Sequence, residues 1–230
     1  MVRTRRRPRA PLQLVRKKAA WTERWEQILA GSSSGDWAPQ SAKAALRKPL
    51  LALTHGKCAF CETRLGKDVY PQIEHYVSRK VAPRRAFEWR NLLPVCQMCN
   101  VSKGHSDHAR DLLKPDDEDP EPYFRIGPEG EITPHPRLDE SGKRRADKTI
   151  RLCDLTRGGL QVSRSEVAQQ VRWWLDRSAG LANGLNQEIE EWKHLSDPRM
   201  EYKLVVRHVL TQNHHPELAD LDRQRFQRGK

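Results

Sequence analysis

Four cysteines stand in two C-x-x-C pairs, Cys58 with Cys61 and Cys96 with Cys99, and 34 residues separate the pairs. A tight turn lets each pair offer two sulfurs to one ion. Two such turns complete a tetrahedral thiolate site with Zn–S bonds near ~2.3 Å. Four thiolates leave no open coordination position, so Cys58, Cys61, Cys96 and Cys99 are expected to hold a structural Zn2+ rather than a catalytic one. A small module with little core of its own is held together by such an ion. Two unrelated redox or core pairs would not explain why both bracket the same polar segment. Cys153 is the odd cysteine, expected to pack as a small hydrophobe.

That polar segment carries a second set of groups. Ile73-Glu74-His75-Tyr76-Val77 comes first, then Asn91-Leu92-Leu93, then Cys99-Asn100-x-x-Lys103-Gly104, which overlaps the second pair. Phosphodiester hydrolysis needs a base for the attacking water, a divalent ion for the phosphate and leaving oxygen, and donors that hold the geometry. A neutral imidazole suits the base. A carboxylate and an amide oxygen are hard ligands, suited to Mg2+ held loosely among waters.

From Cys58 to Lys103 the pattern resembles an HNH endonuclease of the zinc-stapled ββα-metal type: an acidic residue then His, Asn-Leu, and Cys-x-x-Cys-Asn-x-x-Lys. The resemblance implies that His75 is the general base and Glu74 a ligand of a catalytic Mg2+ or Mn2+. Asn100 would be the second metal-site residue, Asn91 would orient the His-bearing loop by hydrogen bonds, and Lys103 would lie near the phosphate. Many family members carry Asp at the position of Glu74, so the longer side chain shifts where an ion would sit. With Asn100 in the expected helical position, His105 and His108 are the weaker metal candidates. The flanks extend the likeness. Arg7-Pro8 with Trp21 and Trp25, Cys58-Ala59-Phe60-Cys61-Glu62, Lys148-Thr149-Ile150-Arg151-Leu152 and Leu155-Thr156-Arg157 resemble the PtuB family, nuclease subunits of Septu-type anti-phage systems that are also linked to some retrons. That likeness spans roughly residues 5–175 and implies DNA as the first-choice substrate and a PtuA-like ATPase subunit as partner. The alternative is a zinc-stapled nucleic-acid-binding or scaffold module without catalysis. Binding alone has no need of a base, which is what the ordered Glu74, His75, Asn91 and Asn100 set supplies.

The elements that must position these residues are legible in outline. Residues 1–18 hold eight basic residues and no acidic one, and read as a flexible arm in which Arg3, Arg5, Arg6, Arg7 and Arg9 contact phosphates or a partner. A helix is expected from Ala19 to Ala30, with Trp21, Trp25, Ile28 and Leu29 on one face. A Gly/Ser linker covers 31–35. A second helix is expected over Ser41–His55, kinked at Pro49 and capped by Gly56. Residues 19–56 thus form N-terminal helices and 57–114 the nuclease core, with a strand-like run over Val69–Ile73. Residues 115–143 read as a Pro- and acid-rich linker with a small hairpin, Tyr123–Ile126 against Glu131–Thr133. From Arg144 to the end the pattern is helical, with Trp173-Trp174, Ile189 and Trp192 among its apolar positions, and is expected to bind the partner. His55 and His214-His215 read as helix-end and solvated residues. The fold class is α+β, mostly helical, with a small ββα-metal core and a four-cysteine zinc site between N- and C-terminal helices.

The formal net charge of +12 calls for a polyanionic partner, nucleic acid before an anionic membrane surface. No apolar run approaches the ~20 residues that span a bilayer, and no apolar stretch follows the basic start to make a secretory signal. The expected location is the cytoplasm, where thiols stay reduced and paired cysteines favour metal over disulfides.

Overall fold

The computed structural model describes residues 7–66, 68–105, 111–179, 200–214 and 218–219. Helix α1 runs Leu12–Leu29 and α2 Gln40–Leu53. Helix α1 starts well before Ala19 because nothing after Pro11 breaks it, and because Leu14 anchors its first turn in the core while Arg16, Lys17 and Lys18 stay in solvent. Trp21 and Trp25, one helical turn apart, are buried together. Leu29, expected on that face, is 40% exposed. In α2, Ala42, Leu46, Leu50 and Leu53 recur at helical spacing and are all buried, with Pro49 inside the helix. Gly56 closes it in the left-handed region at φ +76°, a conformation that costs glycine little.

Strand β1, Gln72–His75, pairs antiparallel with β2, Leu92–Val95, and Glu74 lies opposite Leu93. The strand begins later than the expected Val69–Ile73 and carries Glu74 and His75 themselves. Helix α3, Gln97–Lys103, follows β2 directly. Alternation on β2 divides the interior. Leu92 joins a cluster with Leu14, Trp21, Trp25, Trp37, Leu46 and Phe87, whereas Leu93 and Val95 join the larger core.

The larger core extends through the rest of the chain. Strands β3 (Phe124–Ile126) and β4 (Ile132–Pro134) form the hairpin where the turn residues placed it. Helix α4, Glu140–Leu152, begins ahead of Arg144 because the Asp139 carboxylate caps it, accepting from the Gly142 amide at 2.6 Å. Helices α5 (Gly158–Ala179) and α6 (Lys203–Gln212) pack together, with Val171 and Trp174 in one cluster with Val205, Val206 and Val209. Trp173 points away and is 54% exposed. Ile189 and Trp192 lie outside the described residues. Among the described residues no helix is long and apolar enough to cross a membrane.

Candidate metal centre and active site

The two C-x-x-C turns meet. Cys58, Cys61, Cys96 and Cys99 are all buried, and their sulfurs lie within 4.8 Å of one another. Backbone bonds build each turn. The Cys58 amide donates to the Thr63 carbonyl at 2.9 Å, and the Glu62 amide to the Cys58 carbonyl at 3.1 Å. On the other side Cys96 is the N-cap of α3, its sulfur accepting from the Cys99 amide at 3.4 Å. The Cys61 and Cys96 sulfurs are 3.7 Å apart, close to the edge of a tetrahedron with ~2.3 Å Zn–S bonds. The four residues therefore fit zinc. Hydrogen bonds within the cluster divide the four thiols: the Cys61 sulfur is held well below the usual thiol range and Cys96 at about 7, while burial pushes Cys58 up and bonds to its neighbours push Cys99 up, so a bound cation is what would hold all four as thiolates.

One cation that the sequence did not single out for this role faces the cluster. The Arg157 guanidinium lies 3.7 Å from the Cys99 sulfur and 3.8 Å from that of Cys96. It is fixed there by bonds to the carbonyls of Cys153 at 3.3 Å and Asp154 at 2.8 Å. Cys153 is fully buried, as expected of a small hydrophobe, and its carbonyl also meets the Cys99 sulfur at 3.5 Å.

The groups between the pairs converge on β1, the β1–β2 loop and α3. His75 is 1% exposed. Its Nε2 sits 2.9 Å from the Ala86 carbonyl, and because a carbonyl only accepts, Nε2 carries the proton and Nδ1 keeps its lone pair. The Trp37 ring meets the imidazole edge-on at 4.5 Å. Burial first, then the Arg79 charge, lowers the His75 pKa to about 3, so the ring is neutral at ordinary pH.

Asn91 is fully buried and bonded on every side. Its Oδ1 accepts from the Val77 amide at 2.8 Å, and its Nδ2 donates to the carbonyls of Val77 and Arg85, both at 3.0 Å. Its own carbonyl accepts from the Tyr76 amide at 2.9 Å. One carboxamide thus ties together both ends of the loop that presents Ala86 to His75.

Glu74 and Lys103 are paired. The Lys103 ammonium donates to Glu74 Oε1 at 2.6 Å and to the His75 carbonyl at 3.0 Å, and both residues are buried. Burial pushes the Glu74 carboxyl up, against the pull of Lys103. Lys103 therefore holds the carboxylate and the strand and does not project into solvent. Asn100, one turn earlier on α3, is half-buried and lines a cavity of about 310 Å³. Among the described residues the four cysteines are the one cluster of three or more His, Cys, Asp or Glu side chains with metal-ligand spacing. Of the two residues expected to hold a second ion, Asn100 lines this cavity and Glu74, held by Lys103, does not. That donor set suits Mg2+ or Mn2+, with the Lys103 ammonium as competitor for Glu74.

The other expected residues fall elsewhere. Arg3, Arg5, Arg6 and His108 lie outside the described residues. Arg7 is no free arm. It donates to Asp116 at 2.8 Å, to the Leu92 carbonyl at 2.9 Å and to the Trp89 carbonyl, and lies 5.0 Å from the Trp89 ring centre. With Asp116 1% exposed, this cation is used up inside the protein. Arg9 and His105 are exposed.

Trp37, Lys43, Arg47 and Arg79 line the cavity that Asn100 lines, and no motif in the sequence marks them. Trp37 and Arg79 touch the His75 ring and also line the Asn100 cavity. A larger hollow of about 860 Å³, between the β3–β4 hairpin and α6, contains none of the candidate residues.

No family model matches the chain. Two curated relatives do. A Septu protein PtuB from Bacillus thuringiensis is 29% identical over 123 residues, covering 53% of this chain and 45% of that protein. A Septu protein PtuB from Bacillus mycoides (strain KBAB4) is 23% identical over 205 residues, covering 75% of this chain and 65% of that protein. The chain spans between about half and two thirds of the length of these relatives. Its resemblance, carried by sequence over most of its length, is to the Septu protein PtuB.

Proposed function

We propose that this chain is a metal-dependent endonuclease of the HNH type, hydrolysing DNA phosphodiester bonds as the nuclease component of a Septu-like anti-phage complex with a PtuA-like ATPase subunit. The observation that carries the reading is the state of His75. A carbonyl fixes the proton on Nε2 and leaves the Nδ1 lone pair free, and the two side chains that touch this buried ring, Trp37 and Arg79, line the cavity that Asn100 lines. The strand–loop–strand–helix order around the cysteine cluster supports the same reading.

In this reading Nδ1 takes a proton from water, the resulting hydroxide attacks phosphorus, and the bond to the leaving oxygen breaks. Ala86 and the Asn91 clasp hold the imidazole through that transfer, and Trp37 keeps bulk water from one edge of the ring. Glu74 and Asn100 would hold a Mg2+ or Mn2+, which would supply charge for the phosphate and the leaving oxygen. The zinc cluster takes no part in the chemistry and fixes α3 against the loop. Helix α5 presents exposed Trp173 and Val162 to a partner.

The test is cleavage of supercoiled plasmid by the protein purified with its ATPase partner, with and without added Mg2+ or Mn2+. The reading expects cleavage only with the divalent ion, and less of it in Asn100→Ala. Equal cleavage without the ion would overturn it.

A further inference from the structure

The cavity that Trp37, Arg79 and Asn100 line has an unusual wall. Gln40, Lys43 and Arg47 recur at helical spacing along one face of α2 and all line it. This helix lies outside the segment between the cysteine pairs. Arg79, four residues after His75, lines it from the other side. Among the described residues lining the cavity there are three cations and one carboxylate, Asp36. That carboxylate is already taken, by the Lys43 ammonium and by the Trp37 amide at 2.8 Å. With that pair counted as neutral, Arg47, which also bonds the Tyr70 hydroxyl and lies over its ring, and Arg79 keep the balance of the cavity positive, and an anion is its natural ligand.

Arg79 is placed in a way that packing alone does not explain. Its guanidinium lies between two indoles, 5.7 Å from the Trp25 ring centre and 5.5 Å from that of Trp37. One nitrogen stands 3.4 Å from His75 Nδ1, a long contact. Its Nε is buried with no hydrogen-bond partner. A guanidinium is a fork built for bidentate phosphate binding, and here the fork is under-used at the mouth of a cationic cavity. The same group covers the lone pair that would act as base.

We infer that this cavity is the phosphate subsite for a nucleic-acid backbone, in which Lys43 and Arg47 of α2 hold a phosphate flanking the scissile one, and Arg79 leaves His75 to bind the scissile phosphate and so uncovers Nδ1. The inference rests on the proposed nuclease reading. It makes α2 a substrate-binding element and Arg79 both a ligand of the phosphate and the gate over the base.

The test measures binding separately from cleavage. In a His75→Ala background, a labelled duplex DNA of about 20 base pairs is titrated by fluorescence anisotropy at several salt concentrations with Mg2+ present. Lys43→Gln/Arg47→Gln should weaken binding at least tenfold and reduce the slope of log K against log salt by about 1–2, since each phosphate contact contributes about 0.9. Arg79→Gln should weaken binding similarly. Because Arg79 also packs between two tryptophans, Arg79→Lys is its companion: it keeps stem and charge, loses the fork, and should bind between the two. The α2 double variant also removes the Lys43–Asp36 pair and the Arg47 contact with Tyr70, so zinc content and Tm equal to the parent's show it folded. Variants that bind like the parent, with unchanged salt slopes, would overturn this inference alone. A parent that binds no DNA at all would take the nuclease reading down with it.

Discussion

Replacing Asn91 by alanine removes a clasp that holds the loop presenting Ala86 to His75. The carboxamide makes three side-chain hydrogen bonds, to the Val77 amide, the Val77 carbonyl and the Arg85 carbonyl. All lie in a region where Asn91 itself is 0% exposed. Alanine would leave a buried amide and two carbonyls without partners, each worth up to about 1–3 kcal/mol. The carbonyls can relax toward other donors, so the expected loss is about 3–5 kcal/mol, a large share of the ~5–15 kcal/mol that holds a typical domain. For a chain of this size that corresponds to a fall in Tm on the order of 10 °C. Asn91→Asp should also destabilise, because it keeps the acceptor, loses both donors and buries a charge. It should do so more at neutral than at acid pH, since protonation removes that charge. Thermal and denaturant unfolding give the stability, and zinc analysis shows whether the cysteine cluster survives. A loss under about 1 kcal/mol in Asn91→Ala would refute the reasoning, since the clasp would then be replaceable by water or backbone.

Other consequences are as direct. Stripping the metal with a strong chelator, or Cys96→Ser, should unfold the cysteine module, because structural zinc contributes on the order of 10 kcal/mol in such folds; Arg157→Ala should leave the fold but speed zinc loss to a chelating dye by about 10–100-fold, and an unchanged rate would show that Arg157 does nothing for the thiolates. His75 binds its proton in the unfolded chain near pH 6.5 but in the folded chain only at about 3. Its contribution is thus fully present above about pH 6.5 and is lost as pH falls toward 3, by about 1.4 kcal/mol per unit; denaturant titrations of His75→Asn should show a shallower acid loss, and a parallel curve would contradict the buried neutral ring. Arg7→Ala should cost about 2–4 kcal/mol of stability by leaving Asp116 with Lys114 as its remaining cation, with little change in DNA affinity; the reverse pattern would restore Arg7 to the role of a phosphate contact.

What the sequence made legible was local. Cysteine spacing announces the four-sulfur cluster because each C-x-x-C turn is a short-range device. The β3–β4 hairpin was readable for the same reason, from Gly127-Pro128-Glu129-Gly130 between two apolar runs. Val69-Tyr70-Pro71 has strand-forming residues and reads as the start of a strand, yet only Gln72–His75, with Glu74 and His75, finds partners on β2. Arg7 reads as part of a solvated arm in the sequence, since nothing near it shows Asp116 waiting across the fold. Trp37 and the α2 cations were invisible as site residues because their closeness to His75 is set by long-range packing of α1 and α2 on Phe87 and Leu92. One signal was available: Trp37 is a large aromatic beside a Gly/Ser-rich stretch, where a purely solvated linker would carry none.

The account stands most directly on plasmid cleavage by His75→Ala, assayed with the ATPase partner and Mg2+ or Mn2+ beside the unaltered protein. It predicts a fall of about 10²–10⁴-fold, with one zinc per chain and the partner complex retained. Cleavage at the unaltered rate by a folded, zinc-loaded His75→Ala protein would contradict it.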